Sequence, residues 1–108
     1  MSENLEIHRE TTDRDERVVW FRTEGDGGFV IHGQDLGVDH EYEWAHAYTA
    51  EHAEAAAAAL GRSTTQDLES LIRHRASEGT LPTRLTEWLE GHGITGSVWT
   101  RMEGNPFG

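Results

Sequence analysis

Two β-rich runs, residues 17–23 (RVVWFRT) and 29–33 (FVIHG), flank the stretch Gly25-Asp26-Gly27-Gly28. Nothing else in the chain restricts its fold as tightly. β-Branched and aromatic side chains suit a pleated, half-buried surface. Glycines supply the positive φ that a tight reversal needs at no steric cost. The segment therefore predicts an antiparallel hairpin. In its first arm Val18, Val19, Trp20 and Phe21 are consecutive, so both faces of that strand carry bulk.

The flanking sequence extends this sheet. Residues 4–11 alternate, with Leu5 and Ile7 on one side and Glu6 and His8 on the other, as in an edge strand. Residues 12–15 (TDRD) are turn-like, and 34–39 read as a loop containing Gly37. Residues 40–49 (HEYEWAHAYT) read as a fourth strand. Strand alternation puts Tyr42, Trp44, His46 and Tyr48 on one face and Glu41, Glu43, Ala45 and Ala47 on the other. Two placements are open. The aromatic face can lie beneath helices, because burying Trp and Tyr contributes more than burying Ala. Alternatively, the alanines face an Ala-rich helix and the aromatics form an open interface.

Three helical patterns follow. Thr49 is placed to cap residues 50–60, which include five consecutive alanines and end at Gly61. Ser63 and Gln66 have capping-box spacing ahead of Leu68, Leu71 and Ile72, with Gly79 as a stop. Pro82 suits a first helical turn, with the stripe Leu81, Leu85, Trp88 and Leu89 and the terminating Gly91. Residues 94–101 (ITGSVWTR) read as a last strand, with 1–3 and 102–108 as loose termini. The order ββββ-ααα-β predicts one α+β domain over residues 1–108, an antiparallel sheet of about five strands with about three helices on one face. Whether the last strand joins beside a central strand or at an edge is open at this level.

Charge narrows the partners. Twenty carboxylates face nine basic residues, all Arg, for a net charge of −11. From Thr23 to Gly61 there are eight carboxylates, four histidines and no Arg. Phosphate contacts require Lys or Arg, so nucleic acid is not expected, nor is an anionic membrane surface. A basic partner would be steered toward such a field, although acidity also serves plain solubility. Histidines among so many carboxylates are expected to have raised pKa values. The chain has no Cys, no apolar run of membrane-spanning length and no signal-peptide pattern at its start. These features predict a cytoplasmic protein.

Motifs for catalysis are missing. No G-x-S-x-G, no Walker pattern and no H-E-x-x-H occurs, and nothing calls for a cofactor. An enzyme built on a His–carboxylate pair is the least favoured alternative. A second alternative is a ligand or divalent-metal module using His32, Asp35, Asp39 and His40 around the loop 32–40. The favoured reading is a non-enzymatic interaction module for a basic protein. Its candidate contacts are Trp20, Asp35, Asp39, Glu41, Tyr42, Glu43, Trp44, Tyr48 and Trp99. Three helices cover one face of a sheet well, so the other face is expected to meet a partner or a second copy in a homodimer.

The runs FVIHGQDLG, EYEWAHAYTAEH, DLESLIRHRASEG and WLEGHGITGSVWTR resemble small uncharacterised acidic proteins of actinobacterial genomes, over about residues 18–101. That resemblance implies an α+β fold and an acidic interaction protein, with no catalytic residues to carry over. In size, acidity and fold class the chain also resembles the immunity proteins that neutralise bacterial toxins, which implies an inhibitor of a basic partner.

Overall fold

The structure, a computed structural model, describes residues 4–37, 40–61, 67–82 and 84–104, and only the backbone of His40 and of 102–104. The hairpin is present. β2 (Glu16–Thr23) and β3 (Phe29–Leu36) pair antiparallel around a turn in which Gly27 has φ +94°. The Asp26 carboxylate accepts a hydrogen bond from the Gly28 amide at 2.9 Å, and the Glu24 amide donates to the Gly28 carbonyl at 2.8 Å. β1 (Leu5–Thr11) pairs with β2 on one side, and β4 (His40–Tyr48) pairs with β3 on the other.

Three helices follow: α1 (Ala50–Ala59), α2 (Leu68–Glu78) and α3 (Leu85–Gly91). β5 (Ser97–Gly104) then returns antiparallel to β4, so the sheet order is β1-β2-β3-β4-β5. The chain is α+β with the order ββββ-ααα-β. The last strand sits at the sheet edge, which resolves the placement left open above. Among the described residues no helix is long and apolar enough to cross a membrane.

Alternation decides which side chains meet the helices. Val19 and Phe21 of β2, Phe29 and Ile31 of β3, and Trp44 and Tyr48 of β4 are buried against Ala56 and Ala57 of α1, Leu60 at its C-cap, Leu71 and Ile72 of α2, and Leu85 and Leu89 of α3. The helix ends are locally specified. Thr49 and His52 cap α1 reciprocally: the Thr49 amide donates to the His52 ring and the His52 amide to the Thr49 hydroxyl. Arg75, in the last turn of α2, donates to the Leu60 carbonyl at 2.6 Å and ties the end of α1 to α2.

Several boundaries differ from those read in the sequence. β3 runs on to Leu36 rather than ending at Gly33. The polar Gln34-Asp35 imitates the start of a loop, yet both are strand residues, and Gly33 before them has no side chain, which makes room for the Trp44 ring. α2 is capped by Asp67, whose carboxylate accepts from the Ser70 amide at 2.8 Å; the Ser63–Gln66 pattern lies outside the described residues. Pro82 precedes α3 instead of forming its first turn. Residues 94–96 are not strand: Ile94 is buried in the core and β5 starts at Ser97. β5 also takes in residues 102–104, expected to be loose tail.

Candidate functional site

Among the described residues, nothing packs over the face of the sheet away from the helices. Cross-strand register aligns Glu6, Trp20, His32, Ala45 and Trp99 in one row across all five strands, Glu6 opposite Trp20, Trp20 opposite His32, His32 opposite Ala45 and Ala45 opposite Trp99. Directly opposed residues point to the same side and touch. Trp20 and His32 stack, with ring centroids 5.2 Å apart and planes at 24°. The His32 Nε2 lies 3.2 Å from the Asn4 side-chain oxygen. Ala45 contributes only a methyl, and Trp99 beyond it is 52% exposed. The row bounds a trough of about 400 Å³. Val30, 6% exposed although outside the main core, belongs to its floor.

Polar groups surround this apolar strip. Arg9 bridges Glu6 at 2.7 Å and Glu16 at 3.1 Å. Arg22 lies 3.3 Å from Glu24, and the Gln34 amide donates to Glu41. Glu43, half-buried at the trough, stands directly opposite Arg101 of β5. Burial pushes the His32 imidazole below its usual pKa, and the nearby Arg22 adds to this. Burial likewise lowers His46, with Glu90 opposing. The expected rise among so many carboxylates is therefore reversed at these two positions, because desolvation of the cation outweighs the scattered carboxylates.

The candidate contacts separate by face. Trp20, Glu41, Glu43 and Trp99 lie on the open side. Trp44 and Tyr48 do not: they are 8% and 5% exposed in the core, so neither is available to a partner. Tyr42 is half-buried on the same helix-side face. Asp35 points to that face too, 3.7 Å from Arg17. His32 and Asp35 thus project from opposite sides of β3 and do not share a ligand. Asp39 lies outside the described residues, as does the His40 side chain. Among the described residues no group of three or more His, Asp or Glu side chains is arranged to hold a metal ion.

A second concavity lies under α3. It holds about 110 Å³ and includes His8, Glu10, Arg17, Trp44 and Arg84. Strict alternation would have put His8 on the other side; a register shift between Glu6 and His8 turns it toward the helices. His8 and Glu10 are 2.9 Å apart, and that contact holds the exposed Glu10 carboxyl below the usual carboxylate range. The Arg17 guanidinium sits 5.5 Å from the Trp44 ring centroid. The cleft is small beside ligand pockets, which occupy roughly 300–1,000 Å³.

Sequence reasoning picked out Trp20, Glu43 and Trp99 but missed His32 as a stacking partner and Ala45 as a gap. The turn centred on Asp26 already implies Trp20 opposite His32. No local signal places Trp99 beside Ala45. Compared with protein-family models, with curated proteins and with solved structures, the chain has no match.

Proposed function

We infer that the protein is a non-enzymatic interaction module that binds a basic protein partner through the open face of its sheet, in the manner of an immunity-type inhibitor. The single observation that carries this reading is the uncovered row Trp20–His32–Ala45–Trp99 in a chain of net charge −11. Exposed aromatics are the side chains most enriched at binding hot spots. A negative field draws a cationic partner and speeds encounter. On the helix side Phe21, Phe29, Trp44 and Tyr48 are buried in the core.

The test is affinity capture with the full chain, followed by salt titration of whatever is retained. The partners are expected to be basic and to bind more weakly, mainly through slower association, as salt rises from about 0.05 to 0.5 M, since screening shortens to a few ångströms over that range. A Trp20→Ala/Trp99→Ala double variant is expected to weaken binding by at least about tenfold. Partners with no basic bias, insensitive to salt and retained equally by the double variant, would refute the reading.

A homodimer is the second reading, favoured by β5. This eight-residue edge strand carries Val98, 59% exposed on the helix side, and Trp99 on the other. Unpaired strand edges invite pairing with another chain. Sedimentation across a concentration series distinguishes the two, since only the homodimer grows without added protein.

A further inference from the structure

The two edges of the sheet differ. β1 carries Glu6, His8, Arg9 and Glu10, and its pairing is broken by the register shift between Glu6 and His8. Charged side chains and bulges are common devices that keep an edge from pairing with another chain. β5 has neither over residues 97–100 and pairs with β4 in unbroken register from Ser97 to Gly104. Among the described residues no strand lies along its outer side. Val98 and Trp99 are exposed on its two faces, so the helices do not shield this edge on their side.

Symmetry restricts how two copies can join there. Antiparallel pairing of β5 with itself puts a two-fold axis perpendicular to the sheet. Directly opposed residues share a face, so the axis passes through a residue position and not between two. Only an axis at Thr100, pairing residues 97–103, or at Arg101, pairing 98–104, uses nearly the whole strand. An axis at Arg101 sets two guanidinium groups directly against each other, which is destabilising. An axis at Thr100 sets Thr100 against its own copy on the helix side, a favourable cross-strand pair. On the open side it sets Trp99 against the partner subunit's Arg101, and the reverse. Arg101 stands opposite Glu43 within its own sheet. A guanidinium can lay its face on an indole while its edge stays with a carboxylate.

We propose that the protein forms a two-fold dimer by antiparallel pairing of β5 with β5 of a second copy, centred on Thr100, which joins two five-stranded sheets into one. This rests on the homodimer reading above and fixes its strand, register and axis. Both open faces then turn to the same side, so the dimer doubles the Trp20–His32–Ala45–Trp99 row instead of covering it. Each copy has a net charge of −11. Association is therefore expected to tighten as salt rises, the opposite sign to a basic partner.

The chain has no cysteine, so a single introduced thiol reports proximity. Thr100→Cys and Val98→Cys, both exposed on the helix side of β5, are oxidised with a small disulfide and followed on non-reducing gels. Opposed Cβ atoms lie about 5 Å apart, close to disulfide reach. The two copies of residue 98 are offset by four positions, about 14 Å. Thr100→Cys is expected to cross-link at least about tenfold faster than Val98→Cys. In the unmodified chain, sedimentation velocity from about 10 μM to 1 mM is expected to show a dimer that grows with concentration, more so at about 0.5 M than at 0.05 M salt. Thr100→Lys sets like charges against each other at the axis, although it lowers the overall repulsion. It is expected to weaken the dimer at least about tenfold with an unchanged circular dichroism spectrum. Equal cross-linking at the two positions, a dimer unmoved by Thr100→Lys, or one that loosens as salt rises would each overturn this arrangement and leave a homodimer made elsewhere. A chain monomeric at every concentration and both salts overturns the homodimer reading with it.

Discussion

Gly33→Ala tests the packing that holds the two faces of the sheet apart. Gly33 sits mid-strand in β3, directly opposite Trp44, and is not among the glycines with positive φ. On backbone grounds alone alanine there should stabilise, by about 0.4–1 kcal/mol, because it restricts the unfolded chain. The side-chain geometry says the opposite. A Cβ on residue 33 would lie 2.3 Å from Trp44 Cζ2, 2.5 Å from Cε2 and 3.0 Å from Cη2. Ordinary carbon contacts are about 3.5–4.0 Å, so the ring must retreat by roughly 1 Å. It has little freedom to do so. His46 meets it edge-on at 5.6 Å, the Arg17 guanidinium lies 5.5 Å from its centroid, and it belongs to the core cluster. Overpacking of this kind costs about 1–3 kcal/mol. Expelling the indole altogether forfeits burial of about 150–250 Å², or roughly 4–6 kcal/mol at 25 cal/mol/Å², so displacement within the core is the cheaper response. Set against the backbone gain, the net expected loss is about 1 kcal/mol. Urea denaturation followed by far-UV circular dichroism measures it. In a double-mutant cycle with Trp44→Leu, the penalty of Gly33→Ala should largely vanish, since the clashing ring is gone. A Gly33→Ala variant as stable as the parent, or a penalty undiminished in the Trp44→Leu background, would refute the reasoning.

Two further outcomes follow from buried polar groups. The Tyr48 hydroxyl is buried with no hydrogen-bond partner among the described residues, and burial aided by Glu90 pushes its pKa up to about 12. Tyr48→Phe keeps the stack on Phe29, at 4.4 Å between centroids, and is expected to leave stability unchanged or raise it by up to about 1 kcal/mol; a loss above about 1 kcal/mol in thermal denaturation would show that the hydroxyl is bonded. For the histidines, His32 and His46 have folded-state pKa values below the usual value of 6.5, so the unfolded chain binds protons first. Their contribution is complete above about pH 6.5 and is lost as pH falls through 6.5 toward the lowered folded values. Thermal midpoints between pH 8 and pH 5.5 should show a destabilisation on acidification that shrinks in His32→Gln and His46→Gln; a slope identical in both variants and the parent would contradict it.

Elements whose partners are close in the chain follow from residue pattern alone. The glycine-rich turn set the β2–β3 hairpin, the parity of β4 separated Tyr42, Trp44, His46 and Tyr48 from Glu41, Glu43, Ala45 and Ala47, and Thr49 and Gly79 marked helix ends. These are short-range effects, fixed by backbone sterics and alternation. Other features needed the tertiary structure. Gln34 and Asp35 look like loop until β4 pairs with them, and His8 looks outward until the bulge in β1 turns it. The choice between the two faces of β4 was settled by where three helices came to rest, since alternation separates faces without naming which is covered. The trough depended on this most of all. Trp20 and His32 are joined by a local turn, but Trp99 reaches Ala45 only after the three helices, which lie between them in the chain, have packed on the opposite face and delivered β5 to the sheet edge. Register across a connection that long is set by packing, and no pattern within either strand encodes it.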